Sequence, residues 1–197
     1  MIISIEGMDG VGKTTVAKSI ERDFKFKYVK NEIKDLLEMD DEKFLRISEK
    51  IFNNCDYKIK TWYAALGDIY TLEKYRNENI IMDRHILLNY FFNGDKVTED
   101  IFKVQVQTFG KPDLTIVLRA SAETRIKRII ERDPNDPDLL DKRKWVYGYD
   151  KIIDFLEKYN YNYAIVDTDN LSKEETLEKC KKIILEKQTE TDKFNMK

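Results

Sequence analysis

The sequence predicts an α/β fold, a parallel sheet flanked by helices in three layers, and three observations point to it. Short apolar, β-branched runs recur along the chain, and each is followed by a longer segment whose apolar residues repeat at helical spacing. The first run ends in a glycine-rich loop that opens directly into a helix. The length of 197 residues, 42% of them hydrophobic, supplies one domain with a substantial core. Strands that alternate with helices build parallel βαβ units, and in such sheets ligands gather at the carboxyl ends of the strands.

In chain order, Met1-Ile2-Ile3-Ser4-Ile5 is the first buried strand. Val16, Ala17, Ile20 and Phe24 then recur among Lys18, Ser19, Glu21 and Arg22, an amphipathic helix opening at Lys13. Phe26 to Val29 reads as a second strand. Asn31 to Met39 and Asp41 to Asn53 read as helices, separated by a solvated acidic turn within Glu38 to Glu42. Tyr57 to Arg76 is a long helix with an apolar stripe at Ile59, Tyr63, Leu66, Ile69 and Tyr70. Ile80 to Met82 is a short strand ending at Asp83. Ile86 to Phe92 and Glu99 to Phe109 are helical, and Leu114 to Leu118 is the clearest central strand. Ala122 to Arg132 is a helix, Asp133 to Asp138 a loop with two prolines, and Lys142 to Tyr159 a helix again. Tyr163 to Val166 forms the last strand and Ser172 to Glu186 the closing helix. The expected organisation is one domain over residues 1–187, a lid at about 132–146, and a frayed polar tail over 188–197.

Composition narrows the function classes. The 35 basic and 37 acidic residues leave a net charge of −2, against a nucleic-acid polymer or a membrane surface as partner. There is no run of 18 or more apolar residues for a membrane span. A strand leading straight into the loop is not a removable signal peptide. Cys55 and Cys180 stand far apart without a C-x-x-C partner, as free thiols do in a reducing compartment, so the expected location is the cytoplasm.

The most specific signal is Gly7-Met8-Asp9-Gly10-Val11-Gly12-Lys13-Thr14-Thr15, which fits G-x-x-x-x-G-K-[ST], the phosphate-binding P-loop. A phosphate is held here by several backbone N–H groups aimed at it, on a loop that glycines allow to curl, before a helix whose positive end adds to the field. Lys13 is expected at the β/γ-phosphates of ATP and the Thr14 hydroxyl on Mg²⁺. Asp83-Arg84-His85 follows a strand. A carboxylate there can complete the Mg²⁺ shell or accept a substrate proton, and the Arg84 fork can grip a phosphate. His85, the only histidine, is assigned no catalytic role. Arg125, Arg128 and Arg132 share a helix face. Arg128 and Arg132 either neutralise a transferring phosphoryl group or pair with Glu123 and Glu131, and Arg125 is read as part of a solvated face. The charged segment after Arg132, with Arg143 in it, suits a lid closing over a nucleotide. Trp62 and Tyr63 can stack a base or simply pack in the core.

Several of these segments together resemble the thymidylate kinases. Ile5 to Thr15 looks like that family's opening, and Asp83-Arg84-His85 is similar to its Asp-Arg-[Tyr/His] element. Lys111 to Leu118 with the arginine-bearing helix, and Val166-Asp167 with Leu171 to Glu175, resemble its fourth and fifth strands and their helices. The resemblance implies a five-stranded P-loop NTPase fold with a mobile lid, Asp9 on the acceptor's sugar and Arg84 on its phosphate. Val11 stands where one subtype has arginine, which implies a catalytic arginine from the lid, Arg128, Arg132 or Arg143. Family dimers imply a possible homodimer through residues 57–76. Two family elements are absent, the arginine-rich stretch after the second strand and an arginine after Ala64-Ala65, where Leu66-Gly67 stands. The expected reaction is transfer from ATP to a nucleoside monophosphate, dTMP before others. The alternatives are a deoxynucleoside or other small-metabolite kinase and, from a different class, an ATP-binding regulator that transfers nothing.

Overall fold

The computed structural model describes residues 1–30, 32–140, 145 and 148–195, the last six by backbone alone. Five strands, β1 (Ile2–Glu6), β2 (Lys27–Val29), β3 (Ile80–Asp83), β4 (Leu114–Arg119) and β5 (Tyr163–Asp167), form one parallel sheet in the order β2-β3-β1-β4-β5. The helices are α1 (Lys13–Phe24), α2 (Ile33–Leu36), α3 (Asp41–Asn54), α4 (Tyr57–Lys74), α5 (Ile86–Asn93), α6 (Glu99–Phe109), α7 (Ala122–Arg132), α8 (Tyr149–Lys158) and α9 (Lys173–Asn195). The crossover from β1 runs to one side of the sheet and that from β4 to the other, so a crevice opens outside the carboxyl ends of these strands.

The two faces of the sheet carry different layers because side chains alternate along each strand. Ile3, Ile5, Ile116 and Leu118 pack with Val16, Ala17 and Ile20 of α1 and Cys180 and Ile184 of α9. Val117 points the other way, into a core with Ile86, Phe102, Ile152 and Phe155 from α5, α6 and α8. Every residue of β1 and β3 is buried, as strands covered on both faces require.

Several boundaries differ from the sequence reading. Within Asn31 to Met39 only Ile33–Leu36 is helical among the described residues, a single turn closed before Glu38, whose φ is 49°. The helix expected from Lys142 starts at Tyr149, preceded by a 3-10 turn at Pro137–Leu140; residues 141–144 and 146–147 lie outside the described residues. The closing helix does not stop at Glu186, and its backbone runs on to Asn195 through the segment read as a frayed tail. On α4 the expected stripe is displaced. Thr61, Ala65, Gly67, Thr71 and Leu72 face inward, whereas Ile59 is 53% exposed and Leu66 37%. Small residues let α4 approach its neighbours closely, and Asn89 of α5 donates to the Thr61 carbonyl at 3.0 Å. The acidic turn is partly structural, since Asp40 caps α3 by accepting from the Lys43 N–H at 2.7 Å.

Candidate active site

The loop between β1 and α1 follows the P-loop conformation. Gly10 and Gly12 have φ of 86° and 98°, and Gly12 is the residue that opens α1. The loop is packed as well as curled, because a Cβ on Gly10 would fall 2.7 Å from the Arg125 carbonyl oxygen of α7. Lys13 is 5% exposed and its Nζ donates to the Met8 carbonyl at 2.8 Å, folded back over the loop. Burial, and then the Arg84 cation, push its ammonium down to about 7, against the opposing charges of Asp9, Asp83 and Glu6. An arriving polyanion would favour the charged form, as a phosphate-binding lysine requires.

Asp83, at the carboxyl end of β3, is 3% exposed. Its Oδ2 accepts from the Thr14 hydroxyl at 2.5 Å and from the Tyr28 hydroxyl at 3.0 Å, with Lys30 Nζ 3.9 Å away. Burial beside this carboxylate raises the Tyr28 phenol well above its ordinary range. A threonine hydroxyl beside a carboxylate oxygen is a pair of hard oxygen donors. It fits Mg²⁺, which takes one or two protein oxygens and completes its octahedron with water and phosphate oxygens.

Next to it, Arg84 has φ of 84°, a left-handed backbone that a non-glycine residue rarely adopts. Its terminal nitrogen donates to Asp9 Oδ1, and its Nε is buried with no hydrogen-bond partner in the protein. The same Asp9 oxygen lies 3.8 Å from Lys13 Nζ. One carboxylate therefore links the P-loop lysine to the arginine at the end of β3. Lys13, Thr14, Asp9, Asp83 and Arg84 form one cluster, drawn from sequence positions up to 75 apart.

The other predicted residues are engaged elsewhere. Arg128 donates from both terminal nitrogens to Thr168, to its hydroxyl at 3.0 Å and its carbonyl at 2.6 Å, tying α7 to the loop after β5. Arg132 is exposed and ion-paired with Asp136, one turn along. Arg143 lies outside the described residues. Tyr63 bonds Ser48 at 2.7 Å and meets Phe52 edge to face, so it fastens α3 to α4, while Trp62 is 43% exposed. Arg125 is not on a solvated face: it is fully buried, with its guanidinium 5.5 Å from the centre of the Trp145 ring. Helix α7 is turned so that Arg125 and Ile129 face inward and Ile130 outward, because the P-loop at Gly10 rests on the backbone of Arg125. Ser121 caps this helix and is held in turn by Asp169 at 2.9 Å.

Sequence reasoning missed Glu6, Tyr28 and Lys30. The signal for Glu6 is a carboxylate directly at the end of a mainly apolar strand, which is costly to bury. The contacts of Tyr28 and Lys30 have no local signal, because they arise from the pairing of β2 with β3. His85 is buried, and burial pushes its imidazole down to about 3, which keeps it neutral.

A family model for thymidylate kinases matches residues 5–180. A probable thymidylate kinase 1 of Saccharolobus solfataricus is 31% identical over 192 residues, spanning 93% of this chain and 96% of that protein. A cytidylate kinase of Sulfurisphaera tokodaii is 32% identical over 137 residues, 68% of this chain and 63% of that protein. Among solved structures, a deoxyadenosine kinase from M. mycoides with dCMP and dCDP aligns at a TM-score of 0.68, covering 94% of this chain and all of that one (100%). At 20% identity the likeness is one of fold.

Proposed function

The chain belongs to the thymidylate kinase family and is a nucleotide kinase, and from that premise we propose that it transfers the γ-phosphoryl group of ATP to a nucleoside monophosphate, with dTMP the leading acceptor and dTDP and ADP the products. The observation that carries this reading is Asp9, whose carboxylate accepts from Arg84 and lies beside Lys13, coupling a donor-phosphate group to an acceptor-phosphate group in one crevice.

In this reading Lys13 and the N–H groups from Gly7 to Thr15 hold the ATP phosphates. Thr14 and Asp83 would hold Mg²⁺, which would supply charge neutralisation for the phosphates. The attacking atom of a nucleoside monophosphate is a phosphate oxygen, so in this reading Asp83 serves the metal and no hydroxyl proton has to be removed. Arg84 uses one terminal nitrogen on Asp9, and its side chain, 39% exposed, stays open to the acceptor's phosphate. Asp9 is also the residue the family resemblance assigns to the acceptor's sugar. The catalysis is positioning and electrostatics, with little covalent chemistry for the protein to perform.

A lid arginine completes the charge on the transferring group. Of the two described candidates, Arg132 is the easier to redeploy. Its guanidinium is largely exposed and is held by the ion pair to Asp136, whereas moving Arg128 breaks two bonds to Thr168 in the loop after β5. Arg143 is the third candidate. Exposed Ile59, Trp62 and Leu66 on α4 support the proposal of a homodimer through that helix.

Two observations favour a second acceptor class. Leu66-Gly67 stands where the family carries an arginine, and Tyr63 is tied to α3, so a deoxynucleoside or another small metabolite is the alternative acceptor. The test is ATP turnover, read as ADP release, over dTMP, the other nucleoside monophosphates and the deoxynucleosides. The reading expects the greatest stimulation from dTMP. Stimulation by deoxynucleosides alone would replace it with the second reading.

A further inference from the structure

On the face of β1 opposite Ile3 and Ile5, Ser4 and Glu6 enter the protein interior. Glu6 is 1% exposed. Its Oε1 accepts from the Ser4 hydroxyl at 3.0 Å and from the His85 N–H at 2.6 Å, while Oε2 is buried with no hydrogen-bond partner. Thr115, paired with Ser4 across the sheet, and Gln105 and Tyr161 likewise bury polar atoms without a partner. Asp68, His85 and Gln105 line a cavity of about 10 Å³ behind the turn, room for a single water. Burial pushes the Glu6 carboxyl up to about 7, against the bonds from Ser4 and the His85 N–H that favour its charged form.

An apolar side chain would suit this position, since Glu6 pairs with Val117 across the sheet and an unpaired carboxylate oxygen is costly to bury. A sequence that breaks the packing rule in a central strand marks a place where function outweighs stability. Here the polar group reaches one specific backbone atom. The turn after β3 is strained at Arg84, and two successive N–H groups of that turn are held by the last two residues of β1. The Arg84 N–H donates to the Ile5 carbonyl at 3.1 Å, and the His85 N–H donates to Glu6. The backbone that aims the Arg84 guanidinium at Asp9 is thus braced from below by a buried carboxylate.

We propose that Glu6 is a positioning residue for the acceptor: its buried carboxylate fixes the left-handed Arg84 turn and so aims the Arg84 guanidinium at the acceptor's phosphate. This rests on the reading of Arg84 as the acceptor-phosphate residue. Glu6 touches neither nucleotide in that reading, and among the groups acting on Lys13 it is the weakest, so its removal should spare ATP binding.

The test measures KM for dTMP and for ATP, kcat, and melting temperature in Glu6→Gln, Glu6→Leu, Arg84→Met and the Glu6→Leu/Arg84→Met double variant. Glutamine keeps an acceptor oxygen where Oε1 lies, and leucine removes it. Loss of a hydrogen bond to a charged group predicts a rise in acceptor KM of about 10-fold or more for Glu6→Leu. Glu6→Gln should stay within about 3-fold, since it loses only the charge assistance. ATP KM should hold within about 2-fold in both. On the Arg84→Met background, Glu6→Leu should add almost nothing, because interacting residues are not additive. If Glu6→Leu fails to fold, Ser4→Ala loosens the same oxygen and should raise acceptor KM about 2- to 3-fold. If Arg84→Met raises acceptor KM but folded Glu6→Leu leaves it unchanged, or adds its full effect to Arg84→Met, the positioning role is overturned while Arg84 keeps its place. An unchanged acceptor KM in Arg84→Met would overturn the reading of Arg84, and the role of Glu6 with it.

Discussion

Replacing Gly10 by alanine perturbs the packing of the P-loop without touching Lys13 or Thr14. Gly10 has φ of 86°, and an L-residue in that left-handed region costs about 1–2 kcal/mol. The new methyl carbon would fall 2.7 Å from the Arg125 carbonyl oxygen and 3.1 Å from its Cα. These are backbone atoms of α7, which no rotamer change can move aside, so overpacking adds about 1–3 kcal/mol. The expected destabilisation is therefore about 2–5 kcal/mol, a fall of roughly 5–15 °C in melting temperature for a chain of this size. Gly12→Ala is the control. Its φ is 98°, but no atom beyond its own chain neighbours lies within 4 Å of the added carbon, so only the conformational cost of about 1–2 kcal/mol applies. Gly12 opens α1, where the phosphates are proposed to bind, and its methyl should weaken ATP binding more than that of Gly10→Ala. Thermal unfolding without ligand and calorimetric ATP titration measure the two effects separately. Equal melting temperatures for the two variants would refute the steric account of Gly10, and a larger loss of ATP affinity in Gly10→Ala would refute the placement of the phosphates at Gly12.

Lys13→Ala should lower turnover by roughly 10²–10³, as losing one preorganised charge does, in steady-state ADP release. Because burial disfavours the Lys13 ammonium, the melting temperature of that variant should not fall, and a collapse of the fold would contradict its assignment as a chemical rather than a structural residue. Cys180, buried against α1 with its thiol pushed up to about 12, should resist alkylation in the native protein while partly exposed Cys55 reacts. Mass spectrometry should find one label per native chain and two after denaturation. Equal labelling of both thiols in the native state would mean that α9 does not dock as described.

Long segments with one clear period were legible in the sequence. The five strands, α6 and α7 lie where their apolar spacing puts them, and β1, β3 and β4 most plainly, because burial on both faces leaves few alternatives. The P-loop residues and Asp83 were legible because their chemistry depends on local spacing and on the end of a strand. What escaped depended on tertiary contacts. Arg125 reads as solvated on any helical wheel, and only the approach of Gly10 turns it inward. The apolar side chains of α4 promise a buried stripe, but the buried face is made of Thr61, Ala65 and Gly67, whose small size matters only once α5 is beside them. Tyr63 could be read as a base platform because nothing local reveals that Ser48 and Phe52 will claim it. Glu6 lies just past the strand read from the sequence, and nothing local reveals its partner His85, 79 positions away.

The central claim is that this crevice passes a phosphoryl group from ATP to a nucleotide held by Arg84 and Asp9. The most direct measurement follows the γ-phosphoryl group itself. The protein is incubated with γ-labelled ATP, Mg²⁺ and dTMP, and the labelled products are separated. The account predicts label in dTDP in proportion to ADP formed, lowered by roughly 10²–10³ in the Lys13→Ala variant. Label appearing as inorganic phosphate, with dTMP left unmodified, would contradict it.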